Sequence, residues 1–84
     1  MKKKHPNLIK LGERIKGLRK SQGYSQENFA ATAGLGCTYM GRVERGEQNV
    51  SIQNLIQIAL ALHCEVGALI PPLSELKNVT KEEK

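Results

Sequence analysis

Apolar residues recur at helical spacing near the start of the chain. Leu8, Leu11, Ile15 and Leu18 are separated by three or four positions. This spacing predicts an amphipathic helix, which we expect to end near Gln22. Glycine is the residue that most often follows a helix, and it occupies position 23.

Two short helices joined by a tight turn are predicted to follow. Ser25 is suited to cap the first of them, over residues 26–33. Leu35 and Gly36 form the connection, and the next helix covers about residues 37–45. The residues that we expect to face inward are Phe29, Ala30, Ala33, Tyr39, Met40 and Val43.

The rest of the chain predicts two more helices. Ser51 is placed to cap the fourth, and its expected buried stripe comprises Ile52, Leu55, Ile56, Ala59 and Leu62. A short fifth helix over 66–70 is stopped by two prolines. The pattern predicts an all-α, compact five-helix bundle over residues 8–73, with a basic N-terminal tail (1–7) and a flexible C-terminal tail (74–84).

Composition narrows the class of protein. The 84 residues suffice for one small domain with a formal net charge of +5. The positive charge is concentrated in the first twenty residues, where Glu13 is the only acid. A basic half of this kind indicates a polyanionic partner, either nucleic acid or an anionic membrane surface.

Several chemistries are not indicated by the sequence. Cys37 and Cys64 are the only cysteines, and no zinc-ligand spacing occurs, so we expect no metal, no disulfide and a reduced cytoplasmic chain. No apolar run reaches the roughly 20 residues of a membrane span, and none follows the basic start as a signal peptide requires. No catalytic constellation is evident, so we expect no enzyme, no cofactor and no small-molecule ligand.

The third helix has an unusual outer face. On a wheel of 100° per residue, Cys37, Thr38, Gly41, Arg42 and Arg45 lie opposite the inward arc. A glycine inside a helix costs about 1 kcal/mol relative to alanine, so Gly41 needs a reason. It removes bulk where another surface can approach closely, or it accommodates a crowded neighbouring helix. The two explanations are compatible.

The segment SQENFAATAGLGCTYMGRVERG resembles the helix-turn-helix of the phage repressor and Cro type, also called the XRE family. The matching features are Ser25-Gln26, Ala30, Gly34, Met40, Val43 and Glu44-Arg45-Gly46, with further matches upstream and downstream between about Leu11 and Ile70. Within the family, TYMGRVERGEQNVS is most similar to restriction-modification controller proteins and short stand-alone repressors. The resemblance implies a lambda-repressor-like, DNA-binding regulator of transcription, with helix three as the recognition helix.

The resemblance also implies individual roles. Cys37, Thr38 and Arg42 stand where the family touches base edges, and Arg42 could donate two hydrogen bonds to guanine. A second set stands where the family contacts phosphates or the groove edge: Gln26, Arg45, Gln48 and Asn54. The resemblance also implies that Gln26 buttresses the recognition helix. Gly36 and Cys37 depart from the serine and arginine that controllers often have there.

Glu44 is expected to have a structural role. An acid facing DNA would repel phosphate, and in the family this acid pairs with the arginine of helix one, which is Arg19 here. We therefore expect an ion pair that fixes helix three to helix one.

The family docking geometry favours a homodimer on a two-fold DNA site. Apolar residues left over near the C-terminal end are candidates for its interface, although some could instead close the core: Leu60, Leu69, Ile70 and Leu73. An alternative function is that of an antitoxin or bridging protein, in which protein contacts dominate.

Overall fold

The computed structural model describes residues 5–77, which form five α-helices in sequence. They are α1 (Pro6–Ser21), α2 (Gln26–Ala33), α3 (Cys37–Glu44), α4 (Ile52–Leu62) and α5 (Val66–Leu69), followed by a single 3-10 turn at Leu73–Glu75. No strand occurs among these residues, so the all-α fold class is confirmed.

The ends of α2 and α4 follow from local sequence. The Ser25 and Ser51 hydroxyls accept hydrogen bonds from the backbone N–H groups of Asn28 and Asn54, at 3.0 and 3.1 Å. Each serine thereby satisfies one of the N–H groups that a helix start leaves without a partner. Gly34 ends α2 in the left-handed conformation, at φ 74°, which a residue without Cβ adopts at no steric cost.

Helix α1 begins inside the segment that the sequence assigns to the N-terminal tail. Pro6 is its first residue, and His5 caps it by accepting the Asn7 N–H on Nδ1 at 3.0 Å. The Asn7 side chain also exchanges two hydrogen bonds with the backbone of Lys77, at 3.0 and 2.7 Å. Residues 5–7 and 74–77 therefore do not belong to free tails, whereas 1–4 and 78–84 lie outside the described residues.

The core lies where α1, α2, α3 and α4 meet. Its largest fully buried side chains are Phe29, Ile15, Met40, Ile58, Leu62, Leu69 and Val43. Ala30 and Ala33 are buried as expected, whereas Tyr39 is only partly buried and packs against the edge of this cluster. Helix α3 packs against both α1 and α2, and α4 packs against α2 and α5.

The predicted buried stripe of α4 is wrong at Ile52 and Ile56. Ile52, Ile56 and Leu60 are 63%, 38% and 69% exposed, and Ile58 is fully buried instead. The helix is apolar on two faces, so the spacing of its apolar residues could not tell which face packs on the core. Only the face with Leu55, Ile58, Ala59 and Leu62 does so.

Leu69 is a second correction. It was a candidate for the dimer interface with closure of the core as the alternative, and the alternative is right, because Leu69 has no exposed surface. It is the last residue of α5, which packs against both α4 and α1, so it fills the space between them. The other three candidates, Leu60, Ile70 and Leu73, are exposed.

Candidate nucleic-acid interface

Helices α2 and α3 are joined by three residues, Gly34–Gly36. The backbone N–H of Leu35 donates to Ala30 O at 2.9 Å, and the Leu35 side chain packs against the core. Gly36 precedes α3 in an extended conformation and provides no side-chain cap. This short, anchored connection fixes the direction of α3 relative to α2.

Helix α3 separates its residues into two faces. Met40 and Val43 are buried, and Cys37, Thr38 and Arg42 are exposed on the opposite side. No acid is exposed on α3, because its one carboxylate, that of Glu44, is buried.

The position predicted for Gly41 is wrong. It is buried rather than exposed on the outer face. A Cβ added there would lie 3.1 Å from Arg45 Nη1 and 3.3 Å from Gln26 Oε1. The missing side chain thus makes room for two polar side chains, one from the start of α2 and one from the end of α3, which converge over the backbone of α3.

Arg19 and Glu44 form a buried ion pair between α1 and α3. Arg19 Nε donates to Glu44 Oε2 at 2.7 Å, and a second guanidinium nitrogen donates to Oε1 at 3.0 Å. A third nitrogen donates to the carbonyl oxygen of Tyr24 at 2.8 Å. Such a two-pronged contact fixes the angle as well as the distance between the helices.

The same carboxylate also fixes Gln26. Gln26 Nε2 donates to Glu44 Oε1 at 3.0 Å, so the amide has one remaining N–H and its Oε1 lies above Gly41. The bond is a contact of the buttressing kind that the resemblance implies for Gln26, but no spacing rule relates position 26 to position 44, so the partner was not predictable from the sequence.

Arg45 forms an ion pair with Glu47. Arg45 Nε and a terminal guanidinium nitrogen donate to the two carboxylate oxygens of Glu47, both at 3.2 Å. Arg45 remains accessible, with 56% of its side chain exposed. The sequence analysis did not consider Glu47. The sequence feature that could have indicated this ion pair is an acid two residues after an arginine, with a glycine between them.

A residue predicted to contact DNA from the start of α4, Asn54, lies close to α3. Asn54 Nδ2 donates to the Tyr39 hydroxyl at 2.9 Å, which links α4 to α3. Gln48 lies half-buried in the loop between these two helices. The exposed side of α3, the start of α2 and the start of α4 therefore form one polar surface, which we call the α3 surface: Gln26, Cys37, Thr38, Arg42, Arg45, Gln48 and Asn54.

Other kinds of site find little support in the part of the chain that the structure describes. Residues 5–77 contain no group of three His, Cys, Asp or Glu that could hold a metal ion. Both cysteines are free thiols. Across the same residues no single helix is long and apolar enough to cross a membrane. One pair of helical segments, Ile52–Leu62 and Val66–Glu75, has the length and composition of a membrane span when the two are taken together, but the pair is bent by 96°.

Comparisons with known proteins agree with a helix-turn-helix at this position in the chain. A family model described as helix-turn-helix matches residues 15–69. The control protein C.SmaI of Serratia marcescens is 42% identical over 60 residues, which are 71% of this chain and 71% of that protein. The crystal structure of the restriction-modification controller protein C.AhdI from Aeromonas hydrophila is 44% identical, with a TM-score of 0.74 over 75% of this chain and 96% of that one. The structure of SinR, a master regulator for biofilm formation, in complex with DNA is 40% identical, with a TM-score of 0.68 over 70% of this chain and 95% of that one.

Proposed function

Because the chain belongs to the helix-turn-helix family of the phage repressor and Cro (XRE) type, we propose that it is a sequence-specific regulator of transcription that binds duplex DNA as a homodimer. Its relatives include control proteins, transcriptional regulators and a phage immunity repressor, and one regulator is described in complex with DNA. Helix α3 is the recognition helix of this proposal.

The observation that supports this function most strongly is the charge of the α3 surface. The one acid of α3 is buried against Arg19, while Arg42 and Thr38 are exposed. Major-groove base edges are read by such donors, and an arginine paired with guanine contributes about 1–3 kcal/mol of discrimination. Cys37, at the first position of α3, would meet base edges beside them.

Phosphate contacts would surround these base contacts. Gln26 keeps one N–H of its amide, and the first turn of α4 near Asn54 has N–H groups that favour anions. Arg45 and Gln48 are the members of the α3 surface that would contact the DNA backbone beside the base contacts. Contacts of this kind fix the orientation of the protein on DNA, while the base contacts supply specificity.

A second copy of the chain is the proposed partner of the exposed face of α4. Ile52, Ile56 and Leu60 lie at successive intervals of four residues and so share one side of the helix. Helix α4 has no charged residue, and charged residues are depleted at the centres of protein interfaces.

This face is self-complementary under two-fold symmetry. If two α4 helices pack antiparallel with Ile56 at the axis, Ile52 of one copy meets Leu60 of the partner subunit. Ile70 and Leu73 are also exposed and would extend the contact from the C-terminal end. The two recognition helices would then meet half-sites about 34 Å apart.

Selection of bound fragments from random duplex DNA tests the proposal. We expect enrichment of an inverted repeat whose half-sites are separated by about one helical turn. Enrichment of a single half-site without symmetry would contradict the dimer. Failure to retain any duplex DNA at low salt would contradict DNA binding itself, and would favour a protein that acts through protein contacts.

A further inference from the structure

In the structure without DNA, the Arg45 guanidinium is already paired with the Glu47 carboxylate. Its Nε and one terminal nitrogen are both 3.2 Å from Glu47 oxygens, so the side-on pair of donors that suits a phosphate is occupied. The remaining terminal nitrogen, Nη1, is directed towards the backbone of α3, 3.1 Å from the position of a Cβ on Gly41.

The turn that ends α3 creates this pairing. Gly46 adopts the left-handed conformation at φ 77°, and the Glu47 N–H donates back to Arg42 O at 2.8 Å. The Gly46 N–H donates to Val43 O at 3.1 Å, which completes a Schellman motif. This motif reverses the chain, so that side chains two residues apart lie together. Glu47 is 77% buried by side-chain area, since 23% is exposed, and it is therefore held in place more firmly than Arg45.

From this geometry we infer that Glu47 is an affinity-setting residue of the DNA interface: it competes intramolecularly with backbone phosphate for Arg45. This inference rests on the proposed DNA binding. A phosphate that binds Arg45 must displace the carboxylate or share the guanidinium with it. Glu47 therefore reduces the contribution of Arg45 to every DNA sequence alike, and restrains binding that depends on charge alone.

The size of the effect follows from the exposure of the pair. Exposed ion pairs stabilise by at most about 1 kcal/mol, which corresponds to roughly fivefold in a binding constant. The carboxylate would also repel nearby phosphate, an effect that salt screens within about 10 Å at 0.1 M. We therefore expect Glu47→Gln to bind DNA about two- to tenfold more tightly at low salt.

Titration of a random-sequence duplex with four proteins tests the inference: the wild type, Glu47→Gln, Arg45→Ala and the double variant. Glu65→Gln is the matched control, because it removes one exposed carboxylate at the start of α5. Each titration is repeated between about 50 and 200 mM salt, and thermal melts verify that each variant is folded. Glu47→Gln should tighten binding and steepen the salt dependence by up to about one unit, as for one strengthened phosphate contact. In the Arg45→Ala background the same substitution should gain clearly less than it gains in the wild type, and the remainder measures the repulsion of phosphate by the carboxylate alone.

Equal gains with and without Arg45 would overturn the inference, because the carboxylate would then act only as a diffuse charge. Weaker binding by Glu47→Gln would also overturn it and would make Glu47 a support for Arg45. If the wild type binds duplex DNA and Glu47→Gln leaves the affinity unchanged, this inference fails while the proposed function stands. If the wild type binds no duplex DNA, both fail.

Discussion

Arg19 Nε lies 2.7 Å from Glu44 Oε2, in a contact from which solvent is almost entirely excluded. Glu44 Oε1 accepts from both Arg19 and Gln26, so one carboxylate joins α1, the start of α2 and the end of α3. Removal of either charge leaves the other buried without its counterion, which typically costs about 3–5 kcal/mol.

We therefore expect Arg19→Ala and Glu44→Ala each to lower the free energy of unfolding by several kcal/mol. The double variant should lose much less than the sum, because no lone charge remains. Urea denaturation of the four proteins measures the coupling. Strictly additive losses would mean that the pair does not act as a unit. Arg14→Ala is a useful comparison, since this exposed arginine donates to the Ala68 carbonyl oxygen and forms no ion pair with an acid among residues 5–77.

Gly41 supports a different prediction. Gly41→Ala gains helix propensity of up to about 1 kcal/mol, and its methyl group meets no backbone, only the ends of the Arg45 and Gln26 side chains at 3.1 and 3.3 Å, which can give way by a small shift. Folding should therefore be kept or slightly strengthened. DNA affinity should fall, because Gln26 and Arg45 must both move, and Gly41→Leu should bind more weakly still. Thermal melts and duplex titrations measure the two effects, and a Gly41→Leu protein that binds DNA normally would disprove the role of this glycine.

Gly12 is the matched comparison for Gly41. A Cβ at Gly12 would overlap the backbone carbonyl oxygens of Val43 and Glu44, which cannot move aside as side chains can. Gly12→Ala should therefore lower the melting temperature, whereas Gly41→Ala should not.

The face of α4 yields a prediction about assembly. Ile56→Glu should convert a dimer to a monomer, because it puts a charge at the proposed two-fold axis without disturbing the core. Sedimentation equilibrium gives the molecular mass directly. Leu73→Glu is the comparison at the edge of the proposed contact, at a residue that is 85% exposed, and it should weaken the dimer less than Ile56→Glu does. Dissociation by Leu73→Glu and not by Ile56→Glu would place the interface at the C-terminal end instead.

His63 gives a prediction about stability alone. It ends α4 at φ 58°, and it is the only residue other than glycine with positive φ between residues 5 and 77. Glycine adopts this conformation without strain, so His63→Gly should raise the free energy of unfolding by about 0.5–1 kcal/mol. A chemical denaturation curve that is unchanged or shifted to lower denaturant would contradict this.

The sequence predicted the elements of the fold better than their packing. Serine caps, glycine stops and the spacing of apolar residues located α2, α3 and α4 because these signals are local. Which face of α4 is buried depends on its neighbours, and both of its faces are apolar, so Ile56 was placed wrongly in the core. Leu69 was misjudged for a related reason, since α5 is too short for its period to show a buried side.

The candidate site was predictable only in part. The resemblance to a known family paired Arg19 with Glu44 and directed attention to the outer side of α3. It did not indicate that Gln26 shares the Glu44 carboxylate, or that Arg45 is bound by Glu47. The first contact joins residues that are distant in sequence, and the second depends on the turn at Gly46, so a helical wheel of α3 represents neither.

The proposed function depends above all on α3 reading DNA sequence through Arg42. The most direct measurement compares the affinities of the wild type and Arg42→Ala for the selected duplex and for a scrambled duplex of equal length and composition. Lys16→Ala, at an exposed lysine of α1, controls for the loss of one positive charge. The account predicts that Arg42→Ala loses about 1–3 kcal/mol on the selected duplex, little on the scrambled one, and its preference at one base pair of each half-site. Equal losses on both duplexes, or an unchanged preference at every base pair, would contradict it.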